Sequence, residues 1–253
     1  MINHSLFNTF VYIWIALAVV IFFSLFFISA PYGRFKRKNW GPEIPNWLGW
    51  IIMELPSPFI LTYCIIKGQG EKNAMIWFLM GLWLLHYINR TFIYPFRITS
   101  RNKKMPFAVA FMAIFFNLGN GFFNGYYLGN YASTLNNYSF TSYTFILGLI
   151  LFVSGVIINQ HSDQILINLR KKSDMGYSIP HGGIFNYISS PNYFGEIIEW
   201  LGFAIIANSL PAFSFFIWTF ANLAPRALDN HRWYKDTFKD YPPERKAIIP
   251  FIL

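Results

Sequence analysis

An all-α membrane protein, folded as a bundle of seven transmembrane helices, is the class this sequence predicts, and three observations carry that expectation. Hydrophobic residues make up 55% of the 253 and charged residues only 12%, about half the quarter usual in soluble domains. The charges are clustered: Met1 to Gly33 holds no Asp, Glu, Lys or Arg, and neither does the stretch between Lys104 and Asp163. Apolar runs of about 20 residues, the length that crosses a hydrocarbon core as a helix, recur along the chain.

Taken in order, the first run (about 6–30) has no basic stretch before it and is too long for a signal-peptide core, so it is expected to stay as a span. The second (about 47–67) contains Pro56 and Pro58, breaks that a bundle tolerates when neighbours re-satisfy the backbone. Runs at about 74–96, 105–129 and 140–160 follow. The last two, about 193–209 and 211–236, are separated by Pro211 into a tight helical hairpin with a short sixth member.

The basic residues between runs set an orientation. Arg34, Lys36, Arg37 and Lys38 follow the first run; Arg97, Arg101, Lys103 and Lys104 the third; Arg170, Lys171 and Lys172 the fifth; and Arg226, Arg232, Lys235, Lys239, Arg245 and Lys246 lie near the C-terminus. Only Lys67 and Lys72 fall on the other side, so the count is seventeen against two, with Arg90 inside the third run. This predicts an N-terminus outside and a cytosolic C-terminus, and it explains the net charge of +9 without a nucleic-acid partner. The single cysteine, Cys64, excludes an intrachain disulfide and a thiolate metal cluster. No repeat or separate soluble domain is visible, and residues 1–253 are expected to form one integral membrane domain, a monomer, in a bacterial inner membrane or the endoplasmic reticulum.

Ionisable groups inside spans are expensive and usually face the bundle interior. Glu54 lies in the second run, and His86, Tyr87, Asn89 and Arg90 in the third. At about 100° per residue, Asn192, Glu196 and Glu199 share a stripe about 60° wide. Asn159, Asp163 and Arg170 share another if the fifth helix runs on, and Arg226, Asn230 and Tyr234 step along the last helix. Hydrogen-bonded glue between helices is the plainer explanation of any one stripe. Three stripes with Glu54 and a Tyr87–Arg90–Tyr94 face point instead to a ligand site in the cytosolic half. Arg170, Lys171, Lys172 and Arg226 at its mouth suit an anionic ligand such as a phosphate-bearing cofactor, although Lys171 and Lys172 alone read as a solvated topogenic run.

No G-x-G-x-x-G, G-x-x-x-x-G-K-[ST] or H-E-x-x-H motif is present. His161 and His181 have no partners at ligand spacing, so no metal is expected, and no Ser–His pair has a nucleophile context.

The last 95 or so residues resemble the steroid 5α-reductase family. The matching text includes Asn159-Gln160-His161-Ser162-Asp163, Leu169-Arg170-Lys171, Tyr177-Ser178-Ile179-Pro180-His181-Gly182-Gly183 and Ser190-Pro191-Asn192-Tyr193-Phe194-Gly195-Glu196-Ile197-Ile198-Glu199-Trp200. It continues with Pro225-Arg226-Ala227, His231-Arg232-Trp233-Tyr234 and Tyr241-Pro242-Pro243-Glu244-Arg245-Lys246 through Phe251. Sparser matches lie at Trp50, Glu54-Leu55-Pro56-Ser57, His86-Tyr87, Arg90-Thr91-Phe92, Tyr94, Gly119-Asn120-Gly121 and Gly125-Tyr126-Tyr127-Leu128. The resemblance implies a seven-helix enzyme that reduces the Δ4 double bond of a 3-oxosteroid with NADPH. Carried over by position, the cofactor contacts are Tyr32, Trp50, Tyr94, Asn159, Asp163, Arg170, Tyr177, Asn192, Glu196, Arg226, Asn230 and Tyr234, with Glu54 and Tyr87 as catalytic residues at the substrate carbonyl. Three positions depart from the family. Met53 stands where members similar to the human type-2 enzyme have Gln, Met112 lies near a missing Arg, and Asn230 replaces a His.

Hydride delivery to an enone builds charge on the carbonyl oxygen, so donors aimed there lower the barrier. Tyr87 and a protonated Glu54 fit that role, with a proton from Tyr87 or solvent completing saturation at the α-carbon. The alternatives are a reductase of trans-2-enoyl-CoA or of another sterol double bond, and a membrane methyltransferase that binds S-adenosylmethionine. The methyltransferase pattern of His–Pro followed by Arg–Glu is not matched by Ser190-Pro191-Asn192-Tyr193-Phe194-Gly195-Glu196. A seven-helix receptor or transporter would leave three polar stripes on one side without a reason.

Overall fold

The computed structural model describes residues 2–28, 35, 40–98, 103–132, 135, 139–172 and 177–253. Tyr32 and the basic residues Arg34, Lys36, Arg37, Lys38 and Arg101 lie outside them. The first run forms α1, His4–Phe27, whose N-cap Asn3 accepts the Ser5 N–H. The second forms α2, Asn46–Glu54, and α3, Pro56–Lys67. The break falls at Pro56, which has no N–H to continue the ladder and would crowd the carbonyl of Ile52. α4 spans Ala74–Ile88, capped by Asn73, whose side chain accepts the Ile76 N–H. α6 is Phe107–Asn130, α7 Tyr143–Lys172, α8 Pro191–Ala207 and α9 Leu210–Thr237. The short α5, Tyr94–Arg97, follows α4 after an intervening turn.

Among the described residues, four helical units are long and apolar enough to cross a membrane: His4–Phe27, Asn46–Lys67, Phe107–Asn130 and Tyr143–Lys171. Large side chains such as Phe10, Val20, Phe59, Phe111 and Ile157 point outward from them, the inversion of polarity that lipid requires. The protein is an all-α membrane protein. One feature has no counterpart in the apolar pattern: strands Glu43–Pro45 and Lys104–Pro106 pair antiparallel, Ile44 opposite Met105, and bring the starts of α2 and α6 together.

Small residues fix how the helices approach. On α7, Gly148 and Gly155 face Gly202 and Gly195 of α8, and a Cβ at any of the four would run into the backbone of the facing helix. On α6, Gly121, Gly125 and Gly129 meet Ser57, Leu61 and Cys64 of α3 in turn, so those two helices run parallel. Close backbone approach through small residues is the usual packing device where lipid removes the hydrophobic drive. Replacing Gly155 with Leu is expected to lower the melting temperature in detergent steeply, because overpacking costs about 1–3 kcal/mol or more, with Gly155→Ala intermediate. Equal melting temperatures for all three proteins would show that the α7–α8 contact is not tight.

The core between these pairs is aromatic, with Trp83 centred 5.2 Å from Trp200 and Trp200 4.2 Å from Phe215. α1 joins it through Trp14, whose carbonyl accepts from Trp218 Nε1 at 3.0 Å. The turn between α8 and α9 is tight, as Pro211 predicts: Asn208 takes the left-handed conformation (φ 40°) and Ser209 caps α9 by accepting the Ala212 N–H. After α9 the chain returns to the segment before α8. There Ser189 N donates to the Lys246 carbonyl at 2.8 Å and Arg245 Nη1 to the Pro180 carbonyl at 2.9 Å.

Candidate active site

Arg90 organises the polar interior, and its position follows from Pro95. That residue cannot donate to the ladder, and its ring would collide with the carbonyl of Thr91 in a regular helix. The chain widens into a π turn over Asn89–Ile93, in which the Tyr94 N–H bonds to the Asn89 carbonyl. Such turns recur at functional sites. Arg90 Cζ lies 4.8 Å from the centre of the Trp50 ring and 4.9 Å from that of Tyr94, and the two rings meet edge to face at 5.0 Å. Arg90 Nη1 is 3.5 Å from Asp163 Oδ2, and Nη2 is 3.8 Å from Glu196 Oε2. α2, the π turn with α5, α7 and α8 thus converge on one cation.

Amides tie the same carboxylates together. Asn159 Nδ2 donates to the Asn192 carbonyl at 2.9 Å and to Glu196 Oε2 at 3.4 Å, and Asn192 Nδ2 donates to Asp163 Oδ1 at 3.2 Å. The stripes on α7 and α8 therefore face each other, held in register by the glycine contact. Glu199, the third member on α8, is 1% exposed and turns toward α4, where its Oε1 lies 2.8 Å from His86 Nδ1.

Tyr87, also buried, donates from its hydroxyl to Asn117 Oδ1 at 3.1 Å. Asn117 Nδ2 in turn donates to the Met53 carbonyl at 2.6 Å and to Glu54 Oε2 at 3.3 Å. Asn117 is the bracket that holds Glu54 and Tyr87 side by side, within electrostatic reach of Arg90 and Glu196. Asn117 was not among the expected site residues, and Arg90, expected on the Tyr87–Arg90–Tyr94 face of a ligand site, proves to be the centre of the cluster. The signal for Asn117 is a polar residue in a charge-free span, repeated on one helix face by Asn120 and Asn124, all three buried.

The stripe on α9 sits differently. Arg226 donates to Asn222 Oδ1 at 3.0 Å and to the Tyr193 hydroxyl at 3.3 Å, and Tyr193 lies within electrostatic reach of Tyr94, so Arg226 borders the Arg90 cluster. Asn230 Nδ2 donates to Ser190 Oγ at 3.3 Å. The Tyr234 ring stacks on Tyr241 of the C-terminal segment, centres 5.3 Å apart. Arg170 Cζ lies 5.9 Å from the Tyr177 ring centre and interacts with Asp163 and Tyr94, while Tyr177 packs edge to face on Trp233. Met112 is half exposed on the outer face of α6. A Ser–His contact that spacing does not reveal also forms, with Ser189 Oγ 2.6 Å from His231 Nδ1. The same oxygen bonds to the Tyr241 hydroxyl and the Lys246 carbonyl, and Ser189 is buried, so it pins the C-terminal segment.

The sequence model of the family described as 3-oxo-5-alpha-steroid 4-dehydrogenase matches residues 103–253, more than half the chain. The chain belongs to that family. A steroid 5-alpha-reductase DET2 of Gossypium hirsutum is 42% identical over 240 residues, covering 93% of this chain and 93% of the relative. A 3-oxo-5-alpha-steroid 4-dehydrogenase 1 of Bos taurus is 37% identical over 246 residues, 96% of this chain and 95% of the relative. Its counterpart in Homo sapiens is 38% identical over 226 residues, 88% and 86% of the two chains. The C-terminal motifs thus point to the right family, and the pairwise matches extend over the front half that carries Glu54 and Tyr87. This family member is an oxidoreductase acting on CH–CH groups.

Proposed function

We propose that the enzyme reduces the Δ4 double bond of a 3-oxosteroid with NADPH. We also propose that the chain is one monomeric domain of seven spans, its N-terminus outside and its C-terminus cytosolic. The observation that carries the chemical reading is the Glu54–Asn117–Tyr87 bracket beside the Arg90 cluster. It puts a phenol and a carboxyl group on one buried locus, where a ketone oxygen finds two donors if Glu54 is protonated. Its relatives' printed names, steroid 5-alpha-reductase and 3-oxo-5-alpha-steroid 4-dehydrogenase, support the choice of substrate.

The donor set fits a dinucleotide phosphate. Arg170 and Arg226 supply cations that match phosphate oxygens. Trp50, Tyr94 and Tyr177 offer ring faces, and Asn159, Asn192 and Asn230 offer amides. Asp163, Glu196 and Tyr234 complete the contacts, and Tyr32 is included on the family resemblance alone. NADPH, when bound, supplies the hydride that adds to the enone β-carbon. Tyr87 and Glu54 polarise the ketone and stabilise the enolate charge that then develops on its oxygen. A proton reaches the α-carbon from Tyr87 or solvent, and the lipid-embedded helices around the bracket exclude bulk water.

Heat-protection of the purified protein in detergent separates the alternatives. NADPH at a hundredfold excess over its Kd is expected to add about 2.7 kcal/mol of stability, with S-adenosylmethionine giving no shift. NADPH oxidation is expected with Δ4-3-oxosteroids and not with enoyl thioesters. Protection by S-adenosylmethionine, or turnover of thioesters alone, overturns the reading.

A further inference from the structure

Three fully buried polar groups lie one helical turn beyond the bracket. α3 runs parallel to α6, with Ser57 against Gly121, Leu61 against Gly125 and Cys64 against Gly129, and α4 returns antiparallel after the short connection that follows α3. One turn from Asn117 along α6 is Asn120, next to Gly121, which meets Ser57 of α3, and one turn from Tyr87 along α4 is Trp83, whose ring stacks on that of Tyr87 at 5.4 Å. Ser57, Asn120 and Trp83 are each 0% exposed. Among the described residues, both polar atoms of the Asn120 side chain and Trp83 Nε1 have no hydrogen-bond partner. Ser57 Oγ lies beside the Tyr87 phenol without the geometry of a made bond.

Buried polar groups in native proteins are satisfied by protein or by ordered water. An amide, a hydroxyl and an indole N–H, all enclosed within about a turn of the bracket, are the kinds of partner that an internal water takes, two to four at a time. Asn120 is only about 4.5 Å along the α6 axis from Asn117, too near the carbonyl-binding bracket to read a group at the far end of a four-ring skeleton.

We propose that Ser57, Asn120 and Trp83 hold an internal water behind Tyr87, and that this water restores the proton Tyr87 gives up in each turnover. The inference rests on the steroid-reductase reading. The hydride forms the new C–H bond at the β-carbon as the π pair of the double bond shifts and the carbonyl oxygen takes up charge. The Tyr87 O–H bond then breaks and its proton forms the C–H bond at the α-carbon. As product leaves and solvent enters, the water passes one proton to the phenolate while it takes another from solvent, so that no hydroxide is left behind. One hydride and one solvent proton are added overall. Ser57, Asn120 and Trp83 act through the water and are positioning residues.

The test uses the full-length protein with NADPH and a Δ4-3-oxosteroid, comparing wild type with Ser57→Ala and Asn120→Leu. Both variants are expected to lower kcat about tenfold, at the low end of what proton transfer contributes, with unchanged steroid KM and melting temperature. The solvent deuterium isotope effect is expected to grow while the effect of 4-deuterated NADPH shrinks, a change that a merely structural defect does not produce. A high-resolution map of the wild-type protein is expected to show a water within hydrogen-bond distance of Ser57 Oγ and the Asn120 amide. A dry layer in that map, or isotope effects equal to wild type, overturns the proposal. So does a raised KM with kcat kept, which would assign Asn120 to the substrate. A wild-type protein that reduces no steroid overturns the functional reading, while the map still decides the water.

Discussion

Tyr87→Phe is expected to slow the reduction of a Δ4-3-oxosteroid by about 10²–10³-fold, the cost of removing one donor aimed at a developing oxyanion, while the protein keeps its fold. The phenol bonds to Asn117, and losing that one neutral hydrogen bond costs about 1 kcal/mol, which the bundle tolerates. Glu54→Gln preserves shape and leaves an amide donor in place of an acid, so its loss is expected to be smaller than that of Glu54→Leu. Asn117→Leu removes the bracket and is expected to impair both groups at once. Because the three act as a unit, combined variants are expected to lose less than the product of the single losses. Steady-state NADPH oxidation, with kcat and KM separated and melting temperatures alongside, checks each statement. Wild-type turnover by both Tyr87→Phe and Glu54→Gln would remove the pair from the chemistry.

Helical stretches were legible in the sequence because apolar runs and prolines act locally. The runs predicted at 105–129 and 211–236 became α6, Phe107–Asn130, and α9, Leu210–Thr237. Boundaries moved where local and distant physics compete. α7 continues past the apolar run to Lys172, because Asn159 and Asp163 find partners on α8 and Arg90 and so need not leave the helix. The strand pair at Glu43–Pro45 and Lys104–Pro106 left no trace, since three residues bracketed by proline carry no periodicity and their pairing is set by distant helices. Glycine spacing on α7 and α8 becomes meaningful only once the facing helix is known.

The site was legible where charge is costly. Asp163, Asn192 and Glu196 could be placed on inward stripes from spacing alone, and they meet as expected. Spacing shows a face but not its partner. Thus the α9 stripe, read as facing the same hollow, is shared between Tyr193, Ser190 and the returning C-terminal segment. Likewise His86 and Glu199, 113 positions apart, each stood out as a buried polar residue, and nothing in the sequence pairs them. Asn117 carries a signal but not its meaning: an uncharged amide in a span looks like helix glue until the groups at both ends of it are known.

Arg90→Met is expected to be the most destabilising single change in the interior. The guanidinium is enclosed by two rings and two carboxylates, and deleting one partner of a buried ionic network typically costs about 3–5 kcal/mol, because the remaining charges lose their counterion. Arg90→Lys keeps the charge but loses the planar group that stacks between Trp50 and Tyr94, so an intermediate melting temperature is expected. The cause is separable from lost packing. If the damage comes from stranded carboxylates, adding Asp163→Asn and Glu196→Gln to Arg90→Met should recover most of the lost stability, since neither side chain is then left as a charge without the guanidinium, while cofactor protection stays weak because two proposed contacts have changed. If the triple variant melts as low as Arg90→Met alone, the guanidinium matters as a packing element between the rings. The convergence of four helical elements on Arg90 would then be a matter of shape, and not of charge.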